Sequence, residues 1–222
     1  MSISIVTFSD LGNEHDISSE DIVPAINKFA STGDLVQVIG KTNRNFHIPG
    51  SISAIPLPLH YVTIILQRYL KFPITRRHLE DLYDFIGQFR LKRADVVIFH
   101  DGSTFPRMFK RARKLGAITI DMPRLAHPLY NEGLEEEELA ILGIPNAERY
   151  YSEAARKQAQ IANEFDYIIA FSDFVANSYV EFGYPREKIF VAPQDINLKR
   201  FTVSKGEESV FRVIYVAYIK PL

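Results

Sequence analysis

The chain has 222 residues, 46% hydrophobic and 24% charged, with a formal net charge of −1; it is long enough to bury a full core, and its composition excludes a disordered chain as the default. Its 0 cysteines exclude a disulfide framework, thiolate metal sites and a thiol nucleophile. The small net charge hides an asymmetry, because between Lys41 and Gly116 there are 14 Lys and Arg against 5 Asp and Glu, a stretch suited to phosphate, anionic lipid or nucleic acid, or simply to solvated helix faces.

MSISIVTF enters a β-like run directly, with no basic region, apolar core or cleavage site of a signal peptide. The longest apolar run, near Tyr61–Leu66, is too short to span a bilayer. A cytoplasmic protein is the expectation. Ile3–Phe8 reads as the first strand, and the polar loop SDLGNEHDISSE follows it. Ser18, Ser19, Glu20 and Asp21 then offer an N-cap and first-turn acids to a helix in which Ile22, Ile26 and Phe29 recur at helical spacing up to Gly33. Pro24 falls in the first turns of that helix, where a missing N–H is tolerated.

Leu35–Ile39 and Ile52–Leu57 are the next strands. Residues 60–78, HYVTIILQRYLKFPITRRH, mix aromatic and aliphatic side chains with Arg68, Lys71, Arg76 and Arg77. That composition suits an interfacial helix on anionic lipid, or a helix whose apolar side packs on the sheet. From Thr75 to Leu91 the spacing sets Leu79, Leu82, Ile86 and Phe89 on one helical face. After the strand Asp95–His100, Pro106 opens a helix of Met108, Ala112 and Leu115 that Gly116 closes. Ala117–Ile120 is a strand, and the acidic insert Asn131–Leu139 reads as a solvated helix end or loop, or as a lid over the sheet edge. Asn146 is placed to cap the helix of Tyr150, Ala154, Gln158 and Ala162. Two further strands, Asp166–Phe171 and Lys188–Ala192, flank a helix running from Ser172 to Gly183. Strands alternating with crossover helices predict an α/β fold, a doubly wound and mainly parallel Rossmann-like sheet.

Several chemistries are disfavoured by missing motifs. The chain has no G-x-x-x-x-G-K-[ST], no G-x-G-x-x-G after the first strand, no G-x-S-x-G, no H-E-x-x-H and no D-x-D. What remains sits at strand carboxyl ends, where an open parallel sheet places its ligands. After the first strand, Gly12 supplies backbone freedom, and Asn13 and His15 supply donors beside a helix N-terminus suited to an anion or a polyhydroxylated ligand. After the strand ending at His100 come Asp101 and Ser103; after Ile120 come Asp121, Arg124 and His127. Each of these residue types is more often a turn or capping group than a catalytic one.

Taken in order, ADVVIFH, then ARKLGAITIDMPRLAH, then DYIIAFSDFVANSYVEFGYPREKIFVAPQDINLKRF and the closing FRVIYVAYIKP resemble the N-terminal domain of GT-B-fold retaining glycosyltransferases, specifically glycosyltransferase family 4. The resemblance is strongest after Ala94. It implies the N-terminal half of a GT-B fold, with residues 1–205 as an acceptor-side domain and 206–222 as the first strand of a donor-binding domain. It also implies retaining transfer of a sugar from a nucleotide-sugar substrate to a glycan or lipid-linked acceptor, with no bound metal and no cofactor. In that picture His127 is catalytic and lies against the donor sugar, Gly12 and Asn13 lie near the diphosphate or acceptor, and His15, His100, Asp101, Arg124 and Ser172 bind substrate. Donor binding is left to a C-terminal domain in cis or in trans, so this chain alone binds without turnover. The implied location is cytoplasmic, peripheral on the inner membrane face through residues 60–78, and no nucleic acid partner is implied.

The family's Asn-Gly-Val-Asp turn is here Gln194-Asp195-Ile196-Asn197, its strand-end glycine is Ala217, and the glycine pair of its first loop is Leu11-Gly12. A side chain at Asp195 or Ala217 restricts positive φ or close ligand approach. Two other readings stand beside this one. The first is a non-catalytic carbohydrate- or partner-binding module of the same descent. The second is a different Rossmann-like enzyme such as an epimerase or phosphosugar enzyme, which the absent glycine fingerprint disfavours.

Overall fold

Seven short runs, most of them β-branched, line up as one sheet in the computed structural model, which describes residues 1–11, 17–42, 51–52, 65, 69, 76–143 and 150–193. The strands are β1 (Ile3–Leu11), β2 (Leu35–Thr42), β3 (Ser51–Ile52), β4 (Val96–His100), β5 (Ile118–Met122), β6 (Tyr167–Ala170) and β7 (Ile189–Val191). Their order is β3-β2-β1-β4-β5-β6-β7, and every neighbouring pair is parallel. Parallel neighbours require crossovers. The described helices are α1 (Ile17–Thr32), α2 (Arg76–Arg90), α3 (Pro106–Lys114), α4 (Pro128–Ile141), α5 (Tyr150–Ala162) and α6 (Asp173–Glu181).

This is the Rossmann-like α/β architecture that the alternation of elements predicts; the expected strands that lie within the described residues are present, and of Ile52–Leu57 the described residue Ile52 falls in β3. The order reverses between β1 and β4, so their carboxyl ends diverge into a crevice at the switch point. Gly12, Asn13, His15, most of residues 60–75, Asn146, the turn at Asp195 and the stretch 206–222 lie outside the described residues.

Alternation along the strands divides the core between two faces. On one, Ile22 and Ile26 of α1 close over Ile3, Ile5, Val38, Val96 and Ile98. On the other, Tyr83, Phe105, Met108, Phe109 and Phe165 pack on Val6, Ile39, Val97 and Phe99. Farther along that second face, Val175, Ala176 and Tyr179 of α6 cover Ile168, Ala170 and Ile189. Full burial of each of the Val, Ile, Met and Phe side chains contributes about 1.5–3 kcal/mol before entropy is counted.

Two expectations for the helices need correction. In α2 the buried seam is Tyr83, Asp84 and Gly87, whereas Leu79, Leu82 and Ile86 are half-buried and Phe89 is 74% exposed. Polar partners outweighed apolarity here. The Tyr83 hydroxyl donates to the Thr7 carbonyl at 2.6 Å, and the Asp84 carboxylate accepts the backbone N–H groups of Arg107 at 2.9 Å and Met108 at 2.8 Å. The N-cap position of α3 is Phe105, which has no side-chain acceptor, so the cap is supplied by the neighbouring helix. Gly87 completes the seam, because a Cβ there would collide with the Met108 sulfur. The second correction concerns Asn131–Leu139, which forms the body of α4 rather than a loop or helix end. None of the residues of α4 is fully buried, so its acids remain at or near solvent.

Candidate functional site

The rim formed by β1, β4 and β5 is set by a break in the β1 ladder. β1 pairs Val6 with Ile39 and then Asp10 with Lys41, four residues against two. The bulged segment Thr7–Ser9 is thereby released toward the end of β4. Thr7 Oγ1 donates to Ser9 Oγ at 2.9 Å, accepts the Ser9 backbone N–H at 3.1 Å and lies 3.2 Å from His100 Nδ1. Thr7 Oγ1 and His100 Nδ1 thus share a hydrogen bond whose donor is set by the imidazole tautomer. His100 is 2% exposed, a buried group beneath the rim rather than a surface contact.

The turn after β4 is more constrained. Asp101 sits in the left-handed region at φ 61° and ψ 50°, and among the described residues it is the one non-glycine residue with positive φ. That conformation is uncommon for a side-chain-bearing residue and is tolerated best by Asp and Asn. It aims the Asp101 carboxylate at the turn after β5, where it accepts the Arg124 backbone N–H at 3.0 Å and Nε–H at 2.7 Å and forms an ion pair with the guanidinium. The next residue, Gly102, donates its N–H to Asp121 Oδ1 at 2.7 Å. A Cβ at Gly102 would lie 2.7 Å from Phe99 Cβ and 3.0 Å from Asp121 Oδ1, so the close approach requires glycine.

Asp121 is fully buried, and among the described residues its Oδ2 has no hydrogen-bond partner. Burial pushes its carboxyl up to about 8; the Gly102 N–H opposes the shift and the Asp101 charge reinforces it. At neutral pH it is therefore mostly an uncharged acid. The rim then presents the Asp101–Arg124 pair without a second negative charge behind it, an arrangement compatible with a phosphate or a hydroxyl-rich ligand.

His127 lies in the same turn but faces inward. It caps α4, with Nδ1 accepting the Leu129 N–H at 3.3 Å, while its own backbone N–H donates to Ser178 Oγ at 2.9 Å. The ring stacks on Phe182 at 4.7 Å, meets Tyr179 edge-on at 5.1 Å and is fully buried. Among the described residues its Nε2 lacks a hydrogen bond of normal geometry, and the Asn163 side chain acts on the ring. Burial holds the imidazole down at about 4, with Asn163 pulling the other way. His127 is thus neutral across the physiological range.

The unfolded histidine takes up a proton near pH 6.5 and the folded one only near pH 4, so stability is lost as pH falls through that window, by on the order of 3 kcal/mol. His127→Asn keeps a capping oxygen and is expected to flatten this acid limb in urea denaturation across pH. An unchanged limb would place the titrating group elsewhere.

Ser172 is likewise a cap, its Oγ accepting the Val175 N–H at 3.2 Å at the start of α6. The structure therefore brings Asp101, Arg124 and His100 together at one rim, with His127 and Ser172 beside it as helix caps. Thr7, Ser9, Tyr83 and Asp84 were not legible as partners, since Tyr83 and Thr7 are 76 residues apart. The missing cap at Phe105-Pro106 was the single sequence signal that an acceptor must come from elsewhere. Among the described residues no three His, Asp or Glu side chains converge as a metal-ligand set. A groove of about 570 Å³ starts at Ser103 and Thr104 and runs between α2, α3 and α5, lined also by Asp81, Arg107, Lys110 and Lys157. Its size is that of a small-molecule site.

No protein-family model matches the sequence, and no curated protein matches it. Solved structures do match in three dimensions. The lipopolysaccharide outer core galactosyltransferase WaaB, in its apo form, superposes with a TM-score of 0.52 at 12% identity, over 95% of this chain and 50% of that one. TcCGT1, solved in complex with UDP, superposes with a TM-score of 0.52 at 10% identity, over 94% of this chain and 54% of that one. The fold is that of a GT-B glycosyltransferase half. The chain spans about half the length of the structures it matches, and at this identity the likeness concerns the fold.

Proposed function

We propose that this chain is the acceptor-side half of a glycosyltransferase that moves a sugar from a nucleotide-sugar to a glycan or lipid-linked acceptor. The observation that carries the reading is the clasp at the rim, where Asp101 holds Arg124, whose side chain is 32% exposed, beside a neutral, buried Asp121. Support comes from the shared fold and from the two matched proteins, one named a galactosyltransferase and one bound to UDP.

In this reading Arg124 meets an anionic or hydroxyl-bearing part of the substrate, and Gly12, Asn13 and His15 are further substrate-binding residues. His100 stiffens β4 from beneath. His127 and Ser172 hold the starts of α4 and α6 in place. A donor-binding half, in cis or in trans, supplies the opposing wall and completes turnover. The retaining outcome, the kinship with family 4 and a cytoplasmic location belong to the same proposal.

The test is titration calorimetry, against uridine-, guanosine- and adenosine-diphosphate sugars, of the longest chain that carries these residues together with the donor-binding half. Binding of at least one is expected, with Arg124→Ala weakening it by about tenfold or more, the effect of a lost charged hydrogen bond. Arg124→Ala that binds as well as the parent would remove Arg124 from the site. The burial of His127 lends weight to a second reading, a carbohydrate- or partner-binding module without catalysis. Binding of a glycan with no affinity for any nucleotide-sugar, with the donor-binding half present, would favour it.

A further inference from the structure

Away from the rim, α4 turns an apolar stripe outward from the domain. Leu134 is 43% exposed and Ile141 is 82% exposed, two helical turns apart on one line. On the opposite side of α4, half-buried Glu132 lies in the field of Arg156 on α5, the helix against which α4 packs. Exposed Glu137 and Glu138 border the stripe on its two sides, and exposed Glu135 and Glu136 lie farther round. Among the described residues none of these four carboxylates forms an ion pair.

A surface of opposite sign lies across α5. Helix α3 turns Arg107, Lys110, Arg111 and Lys114 outward and carries no acid. Among the described residues Lys110, Arg111 and Lys114 have no acidic partner. Beside them α2 exposes Phe85 at 50% and Phe89 at 74%, edge-to-face at 5.4 Å. Exposed apolar side chains next to unpaired charge thus occur twice, once in each sign. The two surfaces share one side of the sheet. Helix α5 sits on that side through Ile161, borders α3 across the groove and packs on α4.

We propose that each surface is covered by a second copy of this chain, paired about a two-fold axis that passes over α5. The basic face of α3 and the Phe85–Phe89 edge of one copy meet the acidic stripe of α4 on the other, and the contact is made twice. Leu134 and Ile141 are covered by the two rings, while Glu137 and Glu138 meet Arg111 and Lys114. A foreign acidic or basic protein would satisfy one surface and leave the other uncovered. A second copy satisfies both. At the axis α5 faces itself with Glu153 and Lys157 already paired at 2.6 Å, so no run of like charge is forced together. With a formal net charge of −1, two copies repel each other little. Asp101 and Arg124 take no part, so the pairing does not depend on the function proposed for the rim.

The test is sedimentation velocity of the full-length protein at about 0.1 M and about 1 M salt. A dimer is expected at the lower salt, with dissociation at the higher. Arg111→Glu with Lys114→Glu, and separately Glu137→Lys with Glu138→Lys, should each weaken dimerisation by about tenfold or more. Mixed in equal amounts, the two charge-reversed proteins should associate again, because each then meets the opposite sign at both contacts. Leu134→Ser with Ile141→Ser should also weaken the dimer, and since all these positions are exposed, circular dichroism melting should match the parent. A parent that stays monomeric at tens of micromolar in low salt, a dimer indifferent to both reversals, or reversed variants that melt like the parent yet stay apart when mixed would each overturn the proposal.

Discussion

Replacing Asp121 with asparagine is expected to remove most of a stability loss that the parent protein suffers between about pH 4 and pH 8. The sign follows from proton binding. In the unfolded chain the carboxyl ionises near pH 4, whereas burial in the fold holds its proton up to about 8. Between those values the folded state binds the extra proton, so stability falls as pH rises. By pH 7 the accumulated penalty is roughly 4 kcal/mol, a large share of a typical domain's total. Asparagine has the same shape and keeps an oxygen for the Gly102 N–H, but it has no charge to form. Urea denaturation at a series of pH values is the check. The variant should be the more stable protein at pH 7 and above, with a flatter slope between pH 4 and 8. A variant less stable than the parent at pH 8, with the slope unchanged, would show that Asp121 is ionised and partnered in the fold.

Loss of Asp84 should be nearly as large and of opposite sign. Its two oxygens take the Arg107 and Met108 N–H groups, and its side chain is fully buried. Asp84→Ala leaves both donors unpaired at the start of α3, a loss of roughly 2–4 kcal/mol. Burial raises the carboxyl of Asp84 while the two N–H groups and Arg107 lower it, so the geometry of the cap rather than net charge dominates. Asp84→Asn keeps one good acceptor and should recover part of the loss. Asp81→Ala removes an exposed partner of Arg107 at 3.8 Å and should change stability by no more than about 0.5 kcal/mol. Thermal melts of the three variants separate the cap from the surface ion pair. Equal losses for Asp81→Ala and Asp84→Ala would contradict the assignment.

Much of the fold is legible in the sequence because buried parallel strands must be apolar throughout and bounded by turn residues. VVIFH and YIIA leave little alternative, and Gly33, Gly116 and Gly183, each at positive φ, mark helix ends as the reading of breakers anticipates. The orientation of α2 was not legible. Periodicity ranks residues by apolarity, and here a tyrosine, an aspartate and a glycine occupy the core because each meets one specific partner. The acidic run in α4 misled for the converse reason, since a helix at the surface needs no apolar stripe of its own to be held by its neighbours.

The candidate site shows the same division. Which turns carry polar residues follows from strand order, so Asp101 and Arg124 are brought together as the parallel sheet requires. Which of those residues face outward does not follow from residue type. The inward turn of His127 depends on Phe182 and Tyr179, more than 50 positions away, and the uncharged state of Asp121 depends on burial that no local motif encodes.

The rim is tested most directly by amide chemical-shift mapping of the chain, with the donor-binding half present, while a uridine-diphosphate sugar is added. The prediction is that perturbed amides cluster in residues 100–104 and 121–127, at the carboxyl ends of β4 and β5. Saturable perturbation centred instead on the amino ends of those strands, near residues 94–96 and 116–118, or no perturbation with any nucleotide-sugar or glycan, would contradict it.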